Sequence, residues 1–202
     1  GDGTFRDEVK IRVGSQPRTL AMGDFNGDGK LDLALSLIGN TTEVVIMLGQ
    51  GDGSFKEGDH YPTEYPPLSV AAADFNHDHK LDLVAAVRAD KIQIYLGQGN
   101  GKFVKKTVFD PGDTPTSVKV WDFNQDGELD LAVANNGAIG NNLSIFFGKG
   151  DGTFTLSKTY ETKLRPLSLT LGDFNNDKVE DIVVVNGIRS TLTLFLGNKD
   201  GT

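Results

Sequence analysis

The chain has 202 residues, of which 38% are hydrophobic and 25 are glycine, a composition that supports a buried core in one or two domains and excludes a disordered chain. The formal net charge of -8 and the lack of any Lys/Arg run argue against nucleic-acid or membrane-surface binding, and the apolar runs are too short for a transmembrane helix. The absence of cysteine excludes a disulfide framework and a thiolate zinc site.

The apolar segments have the pattern of strands. In the second quarter of the chain they fall near residues 68–74, 81–87, 91–97 and 102–108. They are short, rich in β-branched and aromatic residues, and bounded by Gly, Asn, Asp or Pro. No segment shows an apolar stripe with helical spacing over the length of a helix. The sequence therefore predicts an all-β protein.

A nine-residue acidic segment recurs along the chain. "DFNGDGKLD", "DFNHDHKLD", "DFNQDGELD" and "DFNNDKVED" occupy residues 24–32, 74–82, 122–130 and 173–181. A glycine-rich marker has the same phase, at residues 48–55, 96–103 and 147–154, with a copy split between 196–202 and 1–5. Four-stranded units repeated about every 50 residues are typical of propeller blades. We predict one β-propeller domain over residues 1–202, with four four-stranded antiparallel blades.

The two ends of the chain share one blade. "RDEVKIRV", after Phe5, matches the fourth strand of a blade, whereas the last copy contains only three strands. We expect the N-terminal strand to close the last blade and to hide its sheet edge. The alternative is a four-blade fragment of a larger propeller. No signal or transit sequence precedes Gly1, so we expect a processed or excised chain.

Each acidic segment has the donors of a calcium loop. Oxygens at positions one, three, five and nine, with the carbonyl of position seven, can face one point, and Ca²⁺ accepts about six to eight such ligands. We expect about one Ca²⁺ per repeat, four in total, with the second and fourth sites weaker because His79 and Lys178 replace a glycine. The alternative is a solvated acidic turn without an ion. The predicted ligands are Asp24, Asn26, Asp28, Lys30 and Asp32; Asp74, Asn76, Asp78, Lys80 and Asp82; Asp122, Asn124, Asp126, Glu128 and Asp130; and Asp173, Asn175, Asp177, Val179 and Asp181.

The acidic segment followed by the glycine-rich marker resembles the FG-GAP/VCBS repeats of integrin α-subunits and of secreted adhesion proteins. The resemblance implies an extracellular β-propeller with Ca²⁺ in the loop between the first two strands of each blade. It also implies a role in adhesion or carbohydrate recognition. We expect a non-enzymatic module that adheres or binds a ligand, with a protein or a carbohydrate as partner. Two alternatives are a structural subunit of an extracellular fibre or matrix, built by self-association of tandem or stacked propellers, and a module of a polysaccharide-active enzyme. No catalytic residues are predicted, because no hydrolase motif occurs in the sequence.

Two glycosylation sequons fit an extracellular location. They begin at Asn40 and Asn142, and both fall in the predicted turn between the second and third strands of a blade. We therefore expect Asn40 and Asn142 as candidate glycan sites.

Overall fold

The computed structural model describes residues 3–5, 8–137, 141–162, 165–188 and 191–201. The described residues form fifteen strands and no helix, so none that could cross a membrane is found in them. The strands make four antiparallel sheets in which sequence neighbours pair, and the sheets follow one another as the four blades of a β-propeller. The predicted all-β fold and its four blades are confirmed.

The strands divide among the blades in chain order. Blade 1 contains β1 (Pro17–Gly23), β2 (Asp32–Leu37), β3 (Glu43–Gly49) and β4 (Phe55–Pro62). Blade 2 contains β5 (Pro67–Ala73), β6 (Asp82–Val87), β7 (Lys91–Gly97) and β8 (Phe103–Phe109). Blade 3 contains β9 (Pro115–Trp121), β10 (Asp130–Asn136), β11 (Asn141–Gly148) and β12 (Phe154–Glu161). Blade 4 contains β13 (Pro166–Gly172), β14 (Asp181–Asn186) and β15 (Thr191–Phe195).

The core lies between the blades. Because neighbouring residues of a strand point to opposite faces, Ala85 of β6 packs towards Ala34 and Ile46 of blade 1, whereas Val84 packs towards Leu131 of blade 3. All five side chains are buried. Each blade is therefore hydrophobic on both faces and needs a neighbour on each side, as in other repeat proteins.

The last blade differs from the prediction. Its described sheet has three strands, in the order β13-β14-β15, and residues 8–13 lie outside any strand. Phe5 is 99% exposed. Among the described strands, the extensive contacts between inner strands join β1 with β5, β5 with β9 and β9 with β13. Blade 4 does not adjoin blade 1 in this way, and within the described residues the predicted closure by the N-terminal strand is not formed.

Candidate metal loops and ligand surface

The four acidic segments connect the first strand of each blade to the second and share one backbone conformation. Their fourth and sixth positions have positive φ in every copy. The fourth positions are Gly27, His77, Gln125 and Asn176, and the sixth positions are Gly29, His79, Gly127 and Lys178. A β-carbon is sterically disfavoured in this region of φ. The loops nevertheless keep the same conformation where another residue replaces glycine.

Hydrogen bonds from the backbone of the loop hold this conformation. In the first loop, the carboxylate of Asp24 accepts the N–H of Gly29 at 2.8 Å, and the amide oxygen of Asn26 accepts the N–H of Asp28 at 2.9 Å. Asp28 in turn accepts the N–H of Lys30 at 3.0 Å. The same three bonds recur in the other loops. The predicted ligands at positions one, three and five thus face the backbone of their own loop, as in Asx turns.

The ninth position has a second role that the sequence did not reveal. Asp32 is fully buried, and its two carboxylate oxygens accept the N–H of Phe25 at 2.9 Å and the N–H of Gly49 at 2.7 Å. The corresponding carboxylates of Asp82, Asp130 and Asp181 are equally buried and make the same two bonds. The ninth carboxylate therefore ties the loop to the end of the third strand, which no local pattern indicates.

Burial changes the pKa of two of these carboxyl groups, Asp82 and Asp130. It raises the pKa of Asp130 to about 6, even though the N–H groups of Gly148 and Phe123 stabilise the charged form. Burial raises the pKa of Asp82 for the same reason. Keeping this buried carboxylate charged therefore costs free energy, and a nearby cation would favour the charged form.

The donor set of each loop fits Ca²⁺ chemically, since carboxylate, amide and carbonyl oxygens are the ligands that this hard ion prefers. Within the described residues, no three acidic or histidine side chains converge into a metal-holding group. The ninth carboxylates already accept backbone N–H groups on both oxygens. Calcium binding by the predicted ligands stays a prediction.

Charged side chains compensate part of the acidity around the loops. The ammonium group of Lys30 lies 3.3 Å from the carboxylate of Asp28, and that of Lys80 lies 3.5 Å from the carboxylate of Asp78. In the third loop the seventh residue is Glu128, which contacts the imidazole of His77 in the second loop at 2.6 Å. This hydrogen bond raises the pKa of His77 and links the loops of blades 2 and 3.

Trp121 borders a surface cavity that the sequence analysis did not predict. It ends β9, where the corresponding residues of the other blades are Gly23, Ala73 and Gly172, and it is 48% exposed. It borders a cavity of about 190 Å³ between the acidic loops of blades 3 and 4, with Asp122, Gln125, Lys178 and Glu180 in the wall. The available signal was the single tryptophan of the chain at a position occupied elsewhere by small residues.

The two sequons lie in different surroundings. Asn40 is exposed in the turn between β2 and β3, as predicted. Asn142 lies in β11 rather than in a turn, and its side-chain oxygen accepts hydrogen bonds from Asn135 at 2.8 Å and from Ser144 at 3.1 Å. Because Ser144 is buried, the structure favours Asn40 over Asn142 as a glycan site.

Comparison with known families identifies the repeat. The FG-GAP-like repeat matches residues 34–85, 79–133 and 122–184, and the FG-GAP repeat matches residues 17–36. Each of the three longer matches runs from one blade into the next. No curated protein matches the chain.

Two solved structures show the same fold. One is a crystal structure of BBS1N in complex with ARL6DN, soaked with lead, which has a TM-score of 0.60 and 18% sequence identity over 98% of this chain and 56% of the other. The second, the same complex soaked with mercury, has a TM-score of 0.60 and 16% identity over 96% and 58%. The chain thus spans a little over half the length of these proteins.

Proposed function

The chain belongs to the FG-GAP repeat family, and we propose that it is a non-enzymatic, calcium-stabilised extracellular module that binds a macromolecular partner. The observation that carries the proposal is the exposed Trp121 beside the cavity between two acidic loops. Exposed tryptophan is enriched at binding hot spots because a large ring can be buried at little entropic cost. A protein is the favoured partner, and a glycan is the alternative.

The solved relatives support binding to a protein. The propeller named BBS1N was crystallised in complex with ARL6DN. That partner belongs to BBS1N, and what we carry over to this chain is only that a protein of this fold can bind another protein. In this chain the variable residues around Trp121 sit on a frame fixed by the buried ninth carboxylates.

Binding can be tested with purified extracellular matrix proteins and a glycan array, each probed in Ca²⁺ and in chelator. We expect saturable binding to at least one matrix protein, and Trp121→Ala should weaken it at least about tenfold, since hot-spot tryptophans contribute about 2 kcal/mol or more. Val104→Ala is the matched control, because Val104 is similarly exposed but lies on β8, away from the cavity. Binding to no probe, or equal binding by Trp121→Ala, would contradict the proposal.

Calcium is the ion that we propose for the loops. Its ligands in the first loop would be Asp24, Asn26, Asp28, the carbonyl of Lys30, and Asp32, and the other loops would use the corresponding residues. Bound Ca²⁺ would offset most of the negative charge of the three crowded carboxylates in each loop and so stabilise the fold. Isothermal titration calorimetry should show binding of close to four equivalents of Ca²⁺ per chain, and a chelator should lower the melting temperature. The proposal fails if Ca²⁺ produces no heat of binding and the chelator does not shift the melting temperature.

A second candidate is a structural subunit that self-associates in an extracellular fibre or matrix. It is favoured by the apolar side chains that blade 4 exposes, Leu192, Leu194 and Leu196. Electron microscopy of the purified chain in Ca²⁺ should then show filaments, and isolated particles at every concentration would exclude this function.

A further inference from the structure

The sequence contains four Asn-Gly pairs, which begin at Asn26, Asn100, Asn136 and Asn186. In such a pair the backbone nitrogen of the glycine can attack the side-chain amide carbon of the asparagine, because no β-carbon on the second residue hinders the approach. The attack closes an imide ring and releases the amide nitrogen as ammonia. The surroundings of each pair in the fold decide whether this reaction is promoted or hindered.

The first acidic loop holds one of these pairs, with Asn26 at its third position and Gly27 at its fourth. The backbone N–H of Gly27 donates a hydrogen bond to a carboxylate oxygen of Asp24 at 2.8 Å. The side-chain oxygen of Asn26 accepts the N–H of Asp28 at 2.9 Å. The attacking nitrogen therefore has a carboxylate in position to take its proton, and the amide under attack has a donor that stabilises the charge developing on its oxygen.

Two features distinguish the first loop from the other three acidic loops, all of which lie within the described residues. The fourth positions of the other loops are His77, Gln125 and Asn176, each of which has a β-carbon. In these loops the first carboxylate does not accept the N–H of the fourth position. It accepts the N–H of Asn76 at 3.3 Å in the second loop and that of Asp126 at 3.1 Å in the third. Glycine and the bond to the carboxylate thus occur together in the first loop.

Two of the other Asn-Gly pairs are held in sheets. Asn136 and Asn186 are the last residues of β10 and β14, and they pair with Asn141 and Thr191 of the neighbouring strands. Asn186 is also only 4% exposed. Ring closure requires rotation of the asparagine backbone, and the ladder pairing restricts this rotation. We therefore expect these two pairs to be unreactive in the folded chain.

Asn100 provides a comparison within the same molecule. It is exposed in the turn between β7 and β8, and its side-chain oxygen accepts the N–H of Lys102 at 3.1 Å. The N–H of Gly101, however, donates to the backbone carbonyl oxygen of Phe25 at 2.8 Å. Because a backbone carbonyl is a much weaker base than a carboxylate, Asn100 has the dipeptide and the donor but not the base.

We propose that Asn26 is a site of self-catalysed deamidation. The nitrogen of Gly27 forms a bond with the side-chain carbonyl carbon of Asn26, and its proton passes to the carboxylate of Asp24 and then to the departing nitrogen, which leaves as ammonia. Water then opens the imide ring at one of its two carbonyl carbons. Opening at the side-chain carbon gives aspartate, and opening at the backbone carbon gives isoaspartate.

Both products alter the first loop. Aspartate at position 26 adds a carboxylate beside those of Asp24 and Asp28, so the loop gains negative charge. Isoaspartate inserts a methylene group into the main chain before Gly27 and displaces Asp28, whose backbone N–H is bonded to residue 26. The inference goes beyond the proposed function and does not depend on Ca²⁺ binding or on a partner.

Peptide mapping by mass spectrometry measures the reaction in the intact chain. The purified chain is kept in chelator at neutral pH and physiological temperature, and samples are digested over several weeks. Conversion of Asn26 should be at least about tenfold faster than conversion of Asn100 in the same molecules. Both products have the mass of aspartate, and labelling by an isoaspartate methyltransferase identifies the isomer. Equal rates at the two residues would overturn the proposal.

A sample unfolded in guanidinium chloride separates the effect of the fold from that of the dipeptide. In the unfolded chain, Asn26 and Asn100 should react at similar rates, and Asn26 should react more slowly than it does in the folded chain. A rate at Asn26 that stays the same or rises on unfolding would overturn the proposal. This comparison uses the wild-type chain and needs no variant.

Two substitutions test the roles of the residues around Asn26. Asp24→Asn keeps an acceptor oxygen but removes the carboxylate, and Gly27→Gln copies the third loop. Each should slow conversion of Asn26 about tenfold or more and leave the rate at Asn100 unchanged. Asp122→Asn, the corresponding change in the third loop, is the matched control and should leave both rates unchanged. Melting temperatures in chelator check that the variants are folded, and an unchanged rate at Asn26 in folded Asp24→Asn would overturn the proposal.

Discussion

The backbone N–H of Gly101 donates a hydrogen bond to the carbonyl oxygen of Phe25, 2.8 Å away, and joins the β7–β8 turn of blade 2 to the acidic loop of blade 1. Gly152 makes the same bond to Phe75 at 3.0 Å, between blades 3 and 2. The acidic loops are therefore part of the blade interface as well as predicted metal sites. A change that loosens a loop should also weaken the packing of the next blade.

Gly101→Ala should destabilise the protein more than Gly53→Ala. Both glycines have positive φ, at 78° and 91°, so alanine is strained at both. A β-carbon at Gly101 would also lie 3.1 Å from Leu48, whereas at Gly53 it would meet nothing within 4 Å. We expect Gly101→Ala to cost about 1 kcal/mol more in urea unfolding. Equal losses would contradict the argument that close packing against Leu48 of the neighbouring blade restricts this position.

Asp32→Ala should be strongly destabilising even without calcium. It leaves the N–H groups of Phe25 and Gly49 without their buried acceptor, at a cost of about 3 kcal/mol. Asp28→Ala, at an exposed loop position, should cost less than about 1 kcal/mol in chelator. Urea unfolding in chelator measures both variants.

The same pair separates the structural role from the metal role. In Ca²⁺, both Asp32→Ala and Asp28→Ala should lose the increment in stability that the ion gives to the first loop. If Asp32→Ala were as stable as wild type in chelator, the buried carboxylate would not be the anchor that its two hydrogen bonds indicate.

Glycine should improve the second and fourth loops. His79 and Lys178 have φ of 61° and 69°, where a β-carbon is disfavoured. His79→Gly and Lys178→Gly should each raise the free energy of unfolding by about 0.5 kcal/mol, because relief of strain exceeds the added entropy of the unfolded chain. They should also tighten Ca²⁺ binding at those loops in calorimetry. Gly29→Ala, the reverse change, should lower both quantities, and the opposite order would contradict the strain argument.

His60 should make stability depend on pH. Its burial alone would lower the pKa, but hydrogen bonds with Glu43 and Glu57 outweigh it, so the pKa is raised above 6.5. A raised pKa in the folded state stabilises the protein below the unfolded pKa, and this contribution is lost as pH rises through the folded value. The side chain is 41% exposed, so solvent screening limits the effect to about 0.5 kcal/mol.

Urea unfolding of wild type and His60→Gln at about pH 5.5 and about pH 8.5 measures this contribution. The difference between the two proteins should be larger at the lower pH. A difference that is equal at both values, or larger at the higher one, would contradict the assignment.

Local signals in the sequence determined the blades and their loops. The strands predicted near 68–74, 81–87, 91–97 and 102–108 lie within one residue of β5 to β8, because strand alternation and turn chemistry act over a few residues. The acidic loops could be found for the same reason, since their Asx turns use side chains two to five residues away. Because the repeat occurs four times, each of these local signals appears four times in the sequence.

Only the tertiary structure decided which of these repeated residues are equivalent in environment. Asp32 and Gly49 meet across 17 residues, and Phe103 meets Tyr61 across 42, so neither contact could be inferred from local spacing. Leu192 has the same sequence pattern as Ile92 and a different exposure, because burial depends on whether another blade lies beside it. Whether the N-terminal strand could pair with the last blade depended likewise on the position of blade 1 relative to blade 4. A repeat in the sequence specifies the blade, whereas the neighbour of each blade is set by the packing of the whole molecule.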